Sequence, residues 1–172
     1  MANISAITTH LNGARSGLEA VLGGISAENW RRAPGPGRWS AAEVVAHLTM
    51  VERAINDGAD KALRSQPRPT PFWKRIHVPV RAAAWRGIKR RTPIPLDATL
   101  VEEREPMLAK LAAVRERTLR LLNENRDRDL SAYCRKLPFF GVLNLYEWFW
   151  VVGYHERRHT EQLREIVDSF HG

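Results

Sequence analysis

The stretch NLYEWFWVVGYHERRHTEQLREI, residues 144–166, predicts a long helix and decides the fold. It opens on Asn144 with a glutamate three residues on, a pattern typical of a helix start. One side of this helix is apolar and carries Trp148, Val152, Leu163 and Ile166. His155 and His159 lie on that same side, about one turn apart. The core face of the helix therefore holds two histidines at metal-ligand spacing.

A second helix repeats this arrangement after the proline- and glycine-rich loop at residues 33–38. Ser40 and Glu43 predict a capping box, and Trp39 and Val44 are placed to form a hydrophobic staple. His47 lies inside the apolar stripe that follows, which comprises Val44, Leu48, Val51 and Ile55. A buried imidazole needs a hydrogen-bond partner or a metal, because burial without one costs free energy. Alone, His47 is typical of an ordinary core histidine; three inward histidines on two helices can share one divalent ion.

Two further helices complete an all-α prediction. The first runs from about Ile4 to Val21 and is ended by Gly23 and Gly24. The other has Pro106 in its first turn and leucines at helical spacing after it. Four helices of similar length predict a four-helix bundle in one domain, residues 1–172. No strand-length alternation of apolar and polar residues competes with this prediction.

All of the excess charge belongs to one segment. The net charge is +8, and residues 65–96 contain eight basic residues and no acidic one, whereas the other 19 basic residues balance 19 acidic ones. Six of the ten prolines lie at residues 67–95, which predicts a long connection between helices two and three, with room for a short helix at 80–90. The basic segment suits an anionic thiol, a membrane surface, nucleic-acid phosphate or a solvated loop. Nucleic-acid binding ranks low among these uses, because the sequence has no recognition-helix motif and the bundle itself is neutral.

Cys134 is the single cysteine, which excludes an intrachain disulfide and a cysteine-based metal cluster. The N-terminus lacks the basic and apolar regions of a secretory signal. The most apolar run, residues 139–154, contains Asn144 and Glu147 and is shorter than a bilayer-spanning helix requires. These features lead us to expect a soluble cytoplasmic protein.

Residues 155–159 read HERRH, which matches the HExxH pattern of zinc peptidases. The match is weak, because no third ligand follows along the helix and no strand is visible to align a peptide. Glu156 lies about 100° around the helix from His155, so we expect it on a solvated face. The same expectation applies to Arg157, Arg158, His10, His77 and His171.

Taken together, these motifs resemble the DinB-like metalloproteins. The resemblance rests on Trp39-Ser40, Glu43 and His47-Leu48, then the basic connection, then the segment from His155 to Gln162. It implies an up-down-down-up four-helix bundle with a long link between helices two and three. It also implies a three-histidine site for zinc, nickel or another divalent ion, with ligands at His47, His155 and His159. Relatives include thiol-dependent S-transferases and a thiol-dependent maleylpyruvate isomerase, and many members have no assigned activity.

Three neutral imidazoles would leave a divalent ion its full charge and an open coordination position. A thiol bound there would be held as thiolate, so we expect a metal-dependent transferase that uses a small-molecule thiol. A non-catalytic metal- or ligand-binding module is the alternative, and a metal-dependent hydrolase ranks third. Glu43, one turn before His47, is the candidate base or orienting group, with helix capping as its other role. The basic residues expected to hold the carboxylates of an anionic thiol are Arg86, Lys89, Arg90 and Arg91.

A cluster of aromatic residues leads us to expect a homodimer. Tyr146, Trp148, Phe149 and Trp150 are too closely spaced to share one face of a helix. Some of them should point outward, and exposed aromatic patches usually mark contacts between proteins.

Overall fold

Four α-helices dominate the computed structural model, which describes residues 4–67, 80, 98–137 and 140–171. They are α1 (Ile4–Gly23), α2 (Ala41–Leu63), α3 (Arg104–Glu124) and α4 (Leu145–His171). The predicted all-α four-helix bundle is confirmed. The predicted short helix at 80–90 lies, apart from Val80, outside the described residues, as does most of the connection between α2 and α3.

Both histidine-bearing helices begin with a reciprocal cap. Ser40 Oγ accepts from Glu43 N at 3.3 Å, and Glu43 Oε2 accepts from Ser40 N at 2.8 Å. At the start of α4, Asn144 Oδ1 accepts from Glu147 N at 3.0 Å, and Glu147 Oε2 accepts from Asn144 N at 2.7 Å. Each cap satisfies backbone groups that the first turn leaves unpaired. The caps therefore fix the residues at which α2 and α4 start. They thereby fix how far along each helix the histidines lie.

The helices pack in pairs, α1 along α4 and α2 along α3, and α2 also contacts α4. Small residues allow the close approaches that involve α4. A Cβ on Gly58 in α2 would lie 2.7 Å from Trp148 Cζ3, and one on Gly153 would lie 2.3 Å from His10 Nε2. No side chain fits at either position. The approach of α2 to α4 is what brings His47 toward the histidines of α4.

A short hairpin precedes α4 and corrects the prediction that the chain has no strands. Strands β1 (Cys134–Leu137) and β2 (Gly141–Asn144) pair antiparallel, with Cys134 opposite Asn144 and Leu137 opposite Gly141. Gly141 has φ 72°, a backbone conformation that favours glycine. Four residues per strand are too few for a recognisable alternation, so the sequence pattern did not reveal them. Leu143 of β2 is buried in the main core.

The apolar run that opens α4 is mostly directed into the bundle. Trp148 and Phe149 are buried, while Tyr146 and Trp150 are half-buried. The expectation that part of the cluster faces outward is thus met only by these two partly covered rings. The homodimer stays a prediction, which light scattering at high micromolar concentration would test.

None of the described helices is both long enough and apolar enough to cross a membrane.

Candidate metal centre

α2 and α4 bring the three predicted histidines together. His155 Nε2 lies 3.2 Å from His47 Nε2 and 3.2 Å from His159 Nε2. One nitrogen from each ring can be chosen so that all three lie within 4.8 Å of one another. Zinc–nitrogen bonds of about 2.0–2.1 Å would place neighbouring tetrahedral ligand atoms about 3.3 Å apart. The cluster therefore has the dimensions of a three-histidine site for a divalent ion.

The described residues cover the three histidines to different extents. His47 and His159 are 4% and 7% exposed, whereas His155 is half-buried. The half-buried indole of Trp39 lies with its ring centroid 5.0 Å from that of His47 and 6.3 Å from that of His159, nearly parallel to the latter. Among the three rings, His155 is therefore the one least covered by the described residues.

The three imidazoles are neutral near pH 7. Burial lowers the pKa of His47 to about 4. Burial lowers the pKa of His155 to about 3, and the charges of His47 and Arg158 act in the same direction. The pKa of His159 is also lowered well below its usual value, mainly by burial, although its hydrogen bond to Gln162 opposes the shift. A neutral imidazole is the form that binds metal, so the rings need no deprotonation step near neutral pH.

Hydrogen bonds among the three rings cannot satisfy the cluster. His159 Nδ1 donates to Gln162 Oε1 at 2.9 Å, which leaves a lone pair on His159 Nε2. The contact with His155 then requires a proton on His155 Nε2, and that one proton cannot also serve the contact with His47. In addition, His47 Nδ1 is buried and has no hydrogen-bond partner within the described part of the chain. A cation that accepts all three Nε2 lone pairs removes the conflict, so the residues present fit a divalent ion.

The other predicted site residues lie apart from this cluster or outside the described ranges. Glu43 Oε2 accepts from Ser40 N at 2.8 Å and from Ser40 Oγ at 2.9 Å, which is the capping role. A catalytic role for Glu43 stays a prediction. The basic residues predicted to capture a thiol all belong to the connection between α2 and α3 and lie outside the described residues; they are Arg86, Lys89, Arg90 and Arg91.

Glu156 is buried, so the expectation of a solvated face was wrong. It is 2% exposed; its Oε1 accepts from Arg15 Nε at 2.8 Å and its Oε2 from Arg115 Nη2 at 2.9 Å. The position of Glu156, about 100° around the helix from His155, does not indicate which groups face it. Its guanidinium partners come from α1 and α3, so they could not be predicted from α4 alone. Both carboxylate oxygens are thereby engaged, which removes the water-activating base that a peptidase interpretation of residues 155–159 requires.

Glu156 belongs to a group of four charged residues that the sequence pattern did not predict. We call it the ion network: Arg15, Glu52, Arg115 and Glu156, one residue from each helix. A signal for it exists in the sequence, because Arg15 lies between Leu11 and Leu18 on the buried side of α1. A charged residue at a core position requires a buried partner of opposite charge.

His10 is also buried, contrary to the prediction of a surface residue. It is 8% exposed, and its Nε2 lies 3.3 Å from Trp150 O. Its ring centroid is 4.5 Å from those of Trp150 and Tyr154. The glycine at position 153 provides the space for the ring. His10 is thus a packed histidine between α1 and α4, separate from the three-histidine cluster. The side chains of His77 and His171 lie outside the described set.

Fold and site together define a helical bundle whose second and fourth helices carry three convergent histidines. The family model described as the DinB superfamily matches residues 10–163, and the chain belongs to that superfamily. It is similar to the uncharacterized protein YuaE of Bacillus subtilis (strain 168), with 28% identity over 159 residues, 92% of this chain and 95% of the relative. It also resembles the crystal structure of TT2238, a four-helix bundle protein, with TM-score 0.60, 21% identity and coverage of 95% and 99% of the two chains. At 21% identity, the similarity to TT2238 shows a shared fold.

Proposed function

We propose that this DinB superfamily protein holds one divalent metal ion, zinc or nickel, at His47, His155 and His159. We further propose that it is a metal-dependent transferase that uses a small-molecule thiol. The observation that carries the proposal is the convergence of three Nε2 atoms in a cluster whose mutual hydrogen bonds cannot all form. Neutral nitrogen ligands alone would leave the ion its positive charge and an open position, the arrangement of a catalytic site rather than a structural one.

The residues around the three histidines have separate roles in the proposed site. When bound, the ion would supply a Lewis-acid centre that favours the thiolate form of a thiol near neutral pH. Gln162 accepts from His159 Nδ1 and so directs the His159 Nε2 lone pair into the cluster. The Trp39 ring limits access beside His47 and His159, which leaves the half-buried His155 side for the substrate. Glu43, one turn before His47, is the proposed base or orienting carboxylate.

The thiol is proposed to be anionic. The residues outside 65–96 balance their own charges, whereas residues 65–96 carry the excess of eight positive charges. Its residues Arg86, Lys89, Arg90 and Arg91 are the proposed partners of carboxylates on the thiol. Neutralising these four together should raise the apparent KM for the thiol and leave metal content unchanged. An unchanged KM would remove the basic segment from the proposal.

Elemental analysis followed by a thiol-conjugation screen tests the proposal. Natively purified protein should contain about one zinc or nickel ion per chain. A panel of anionic and neutral thiols, each offered with an electrophilic acceptor, should then show turnover that chelation abolishes and the same metal restores. Absence of a stoichiometric metal would refute the metal site. Full occupancy without turnover would refute the transferase.

A non-catalytic metal- or ligand-binding module is the second candidate. The burial of His47 and His159, together with the Trp39 ring beside them, favours it, because these features restrict the approach of a second reactant. Turnover at full metal occupancy distinguishes the two candidates. A hydrolase is disfavoured, since both oxygens of Glu156 accept from guanidinium groups.

A further inference from the structure

The ion network lies at the centre of the bundle and is charge-balanced. Arg115 Nε donates to Glu52 Oε1 at 2.8 Å, and its Nη2 donates to Glu52 Oε2 at 3.2 Å and to Glu156 Oε2 at 2.9 Å. Arg15 Nε donates to Glu156 Oε1 at 2.8 Å, and its Nη2 lies 3.5 Å from Glu52 Oε2. All four residues are buried. Two acids and two guanidiniums are therefore held away from water.

Such a network contributes more to geometry than to net stability. Removing a charge from water costs several kcal/mol, and well-packed apolar residues often replace buried ion pairs without loss of stability. A guanidinium, however, has a planar and directional set of donors that fixes the positions of its acceptors. The network thus constrains how the four helices sit relative to one another.

The two carboxylates lie on the two helices that carry the histidines. Glu52 follows His47 by five residues in α2, and Glu156 lies between His155 and His159 in α4. Arg115, on α3, donates hydrogen bonds to both carboxylates. Its Nη1 also donates to Leu11 O at 2.7 Å, which anchors the guanidinium to α1. One side chain from a helix without any of the three histidines therefore ties together the helices that hold them.

Building on the proposed metal site, we propose that Arg115 is a positioning residue for it. By holding Glu52 and Glu156 on one guanidinium, Arg115 sets the separation of α2 and α4 at the level of the histidines. That separation determines whether His47 Nε2 reaches the 3.2 Å contact with His155 Nε2. Arg115 touches none of the proposed ligands and acts through the backbone of the two helices.

Arg15 offers a matched control. It is 7% exposed, against 4% for Arg115, and it donates to Glu156 and to Leu111 O. It makes no hydrogen bond to Glu52, because its Nη2 is 3.5 Å away and has no hydrogen-bond partner in the described residues. Arg115→Met and Arg15→Met thus each remove one buried guanidinium, but only the first removes a hydrogen-bonded link between the histidine-bearing helices.

Metal affinity, measured by competition with a chromophoric chelator, should fall about ten- to a hundredfold in Arg115→Met and less than about threefold in Arg15→Met. Urea unfolding of both metal-free variants separates this effect from stability. The visible spectrum of the cobalt(II)-loaded protein should change in Arg115→Met alone. Arg115→Lys keeps the charge without the planar fork, so it should bind metal with intermediate affinity, and it supplies a folded variant if Arg115→Met does not fold. Equal losses of affinity in the Met variants, or losses that follow stability, would overturn the proposal.

A metal-free measurement distinguishes failure of this proposal from failure of the proposed function. In wild-type protein, ring protons of His47 and His155 should show nuclear Overhauser contacts, and Arg15→Met should keep them. Arg115→Met should lose them, and Arg115→Lys should weaken them. Wild-type protein that binds no divalent ion would refute the metal site while these contacts still decide the positioning role. Contacts that persist in both Arg115 variants would refute the positioning role alone.

Discussion

Two clusters of polar side chains lie in the interior of this bundle, the ion network and the histidine cluster. They differ in how many of their polar atoms have hydrogen-bond or charge partners. In the ion network, each carboxylate oxygen has a guanidinium within 3.5 Å, and Glu52 Oε1 also accepts from Thr118 Oγ1 at 2.6 Å. Arg15 Nη2 makes no hydrogen bond within the described residues, but it lies 3.5 Å from the opposite charge of Glu52. In the histidine cluster, two close nitrogen contacts compete for one proton, and His47 Nδ1 has no hydrogen-bond partner among the described residues. The same two helices, α2 and α4, contribute to both groups.

Both groups are buried, so burial does not distinguish a structural polar group from a candidate site. What distinguishes them is whether the buried atoms have partners of opposite charge or complementary hydrogen-bonding groups. The pKa values express the same difference. Burial alone would lower the pKa of Arg115, but hydrogen bonds and charges of Glu52 and Glu156 outweigh it and raise the pKa, so the guanidinium stays charged. For His47 and His155, no acidic partner among the described residues counters burial, so their pKa values fall. The positions of the three rings match those of a group that could hold a metal ion.

Replacing His47 by Ala tests the comparison with the largest expected effect. Loss of one of three ligands should leave metal content near zero after dialysis, and His159→Ala should match it. His10→Ala is the control, because His10 is a buried histidine of the same chain outside the cluster. Elemental analysis measures all three. Full occupancy in His47→Ala would show that the cluster is not one shared site.

Much of the fold could be predicted from periodicity and caps. The stripe of α2 and the Ser40–Glu43 capping box fix the inward direction of His47, because a helix presents residues four apart on one face. The same geometry directed His155 and His159 into the core. A helical site is readable from sequence when its side chains share the apolar face, since the core pattern then sets their direction.

The ion network and His10 were not predictable in the same way. The pairing of Glu156 with Arg115 depends on which helices are neighbours and on their rotation, and no local pattern encodes either. His10 is buried because Gly153 of α4 lies opposite it, a contact between residues 143 positions apart in sequence. Hydrophobic periodicity shows which face is buried, and tertiary contacts decide which polar residues at its edge are buried with it.

Removing one acid from the ion network should destabilise the protein strongly. In Glu156→Ala, two guanidiniums lose a buried partner, and the free energy of unfolding should fall by about 3–5 kcal/mol. Urea denaturation of the metal-free protein measures this difference. Glu161→Ala, which breaks an exposed pair with Arg164, is the control and should change stability by about 1 kcal/mol or less. A similarly small effect of Glu156→Ala would contradict the self-sufficient character assigned to the network.

Acidification should weaken the metal-free protein through the histidine cluster. The unfolded imidazole titrates near pH 6.5, whereas the folded pKa of His47 is about 4. Between these values the unfolded chain binds more protons, so the free energy of unfolding decreases as the pH is lowered, by up to about 1.4 kcal/mol per pH unit for each histidine. Over the whole window His47 alone accounts for roughly 3 kcal/mol.

The pH dependence can be measured by urea unfolding from pH 7 to pH 4. A His47→Gln variant should show a shallower slope than wild type over this range, because one titrating ring is absent. Above pH 7 the two proteins should show no histidine-dependent slope. A wild-type slope equal to that of the variant would indicate that His47 is not held in its neutral form by burial, which contradicts the contrast with Arg115.

Gln162→Leu is expected to have the smallest effect, and it concerns the hydrogen bond between Gln162 and the histidine cluster. Gln162 Oε1 accepts from His159 Nδ1 at 2.9 Å and thereby holds the lone pair on His159 Nε2. Without this acceptor, the ring can turn and exchange its proton between the two nitrogens, so metal affinity should fall about tenfold, toward the lower end of the usual range for such partners. Gln162→Glu should retain or raise affinity, because a carboxylate accepts the same hydrogen bond. Chelator competition measures the metal affinity of both variants. If Gln162→Leu and Gln162→Glu lose metal affinity equally, packing at position 162 supports the site and the hydrogen-bond acceptor does not.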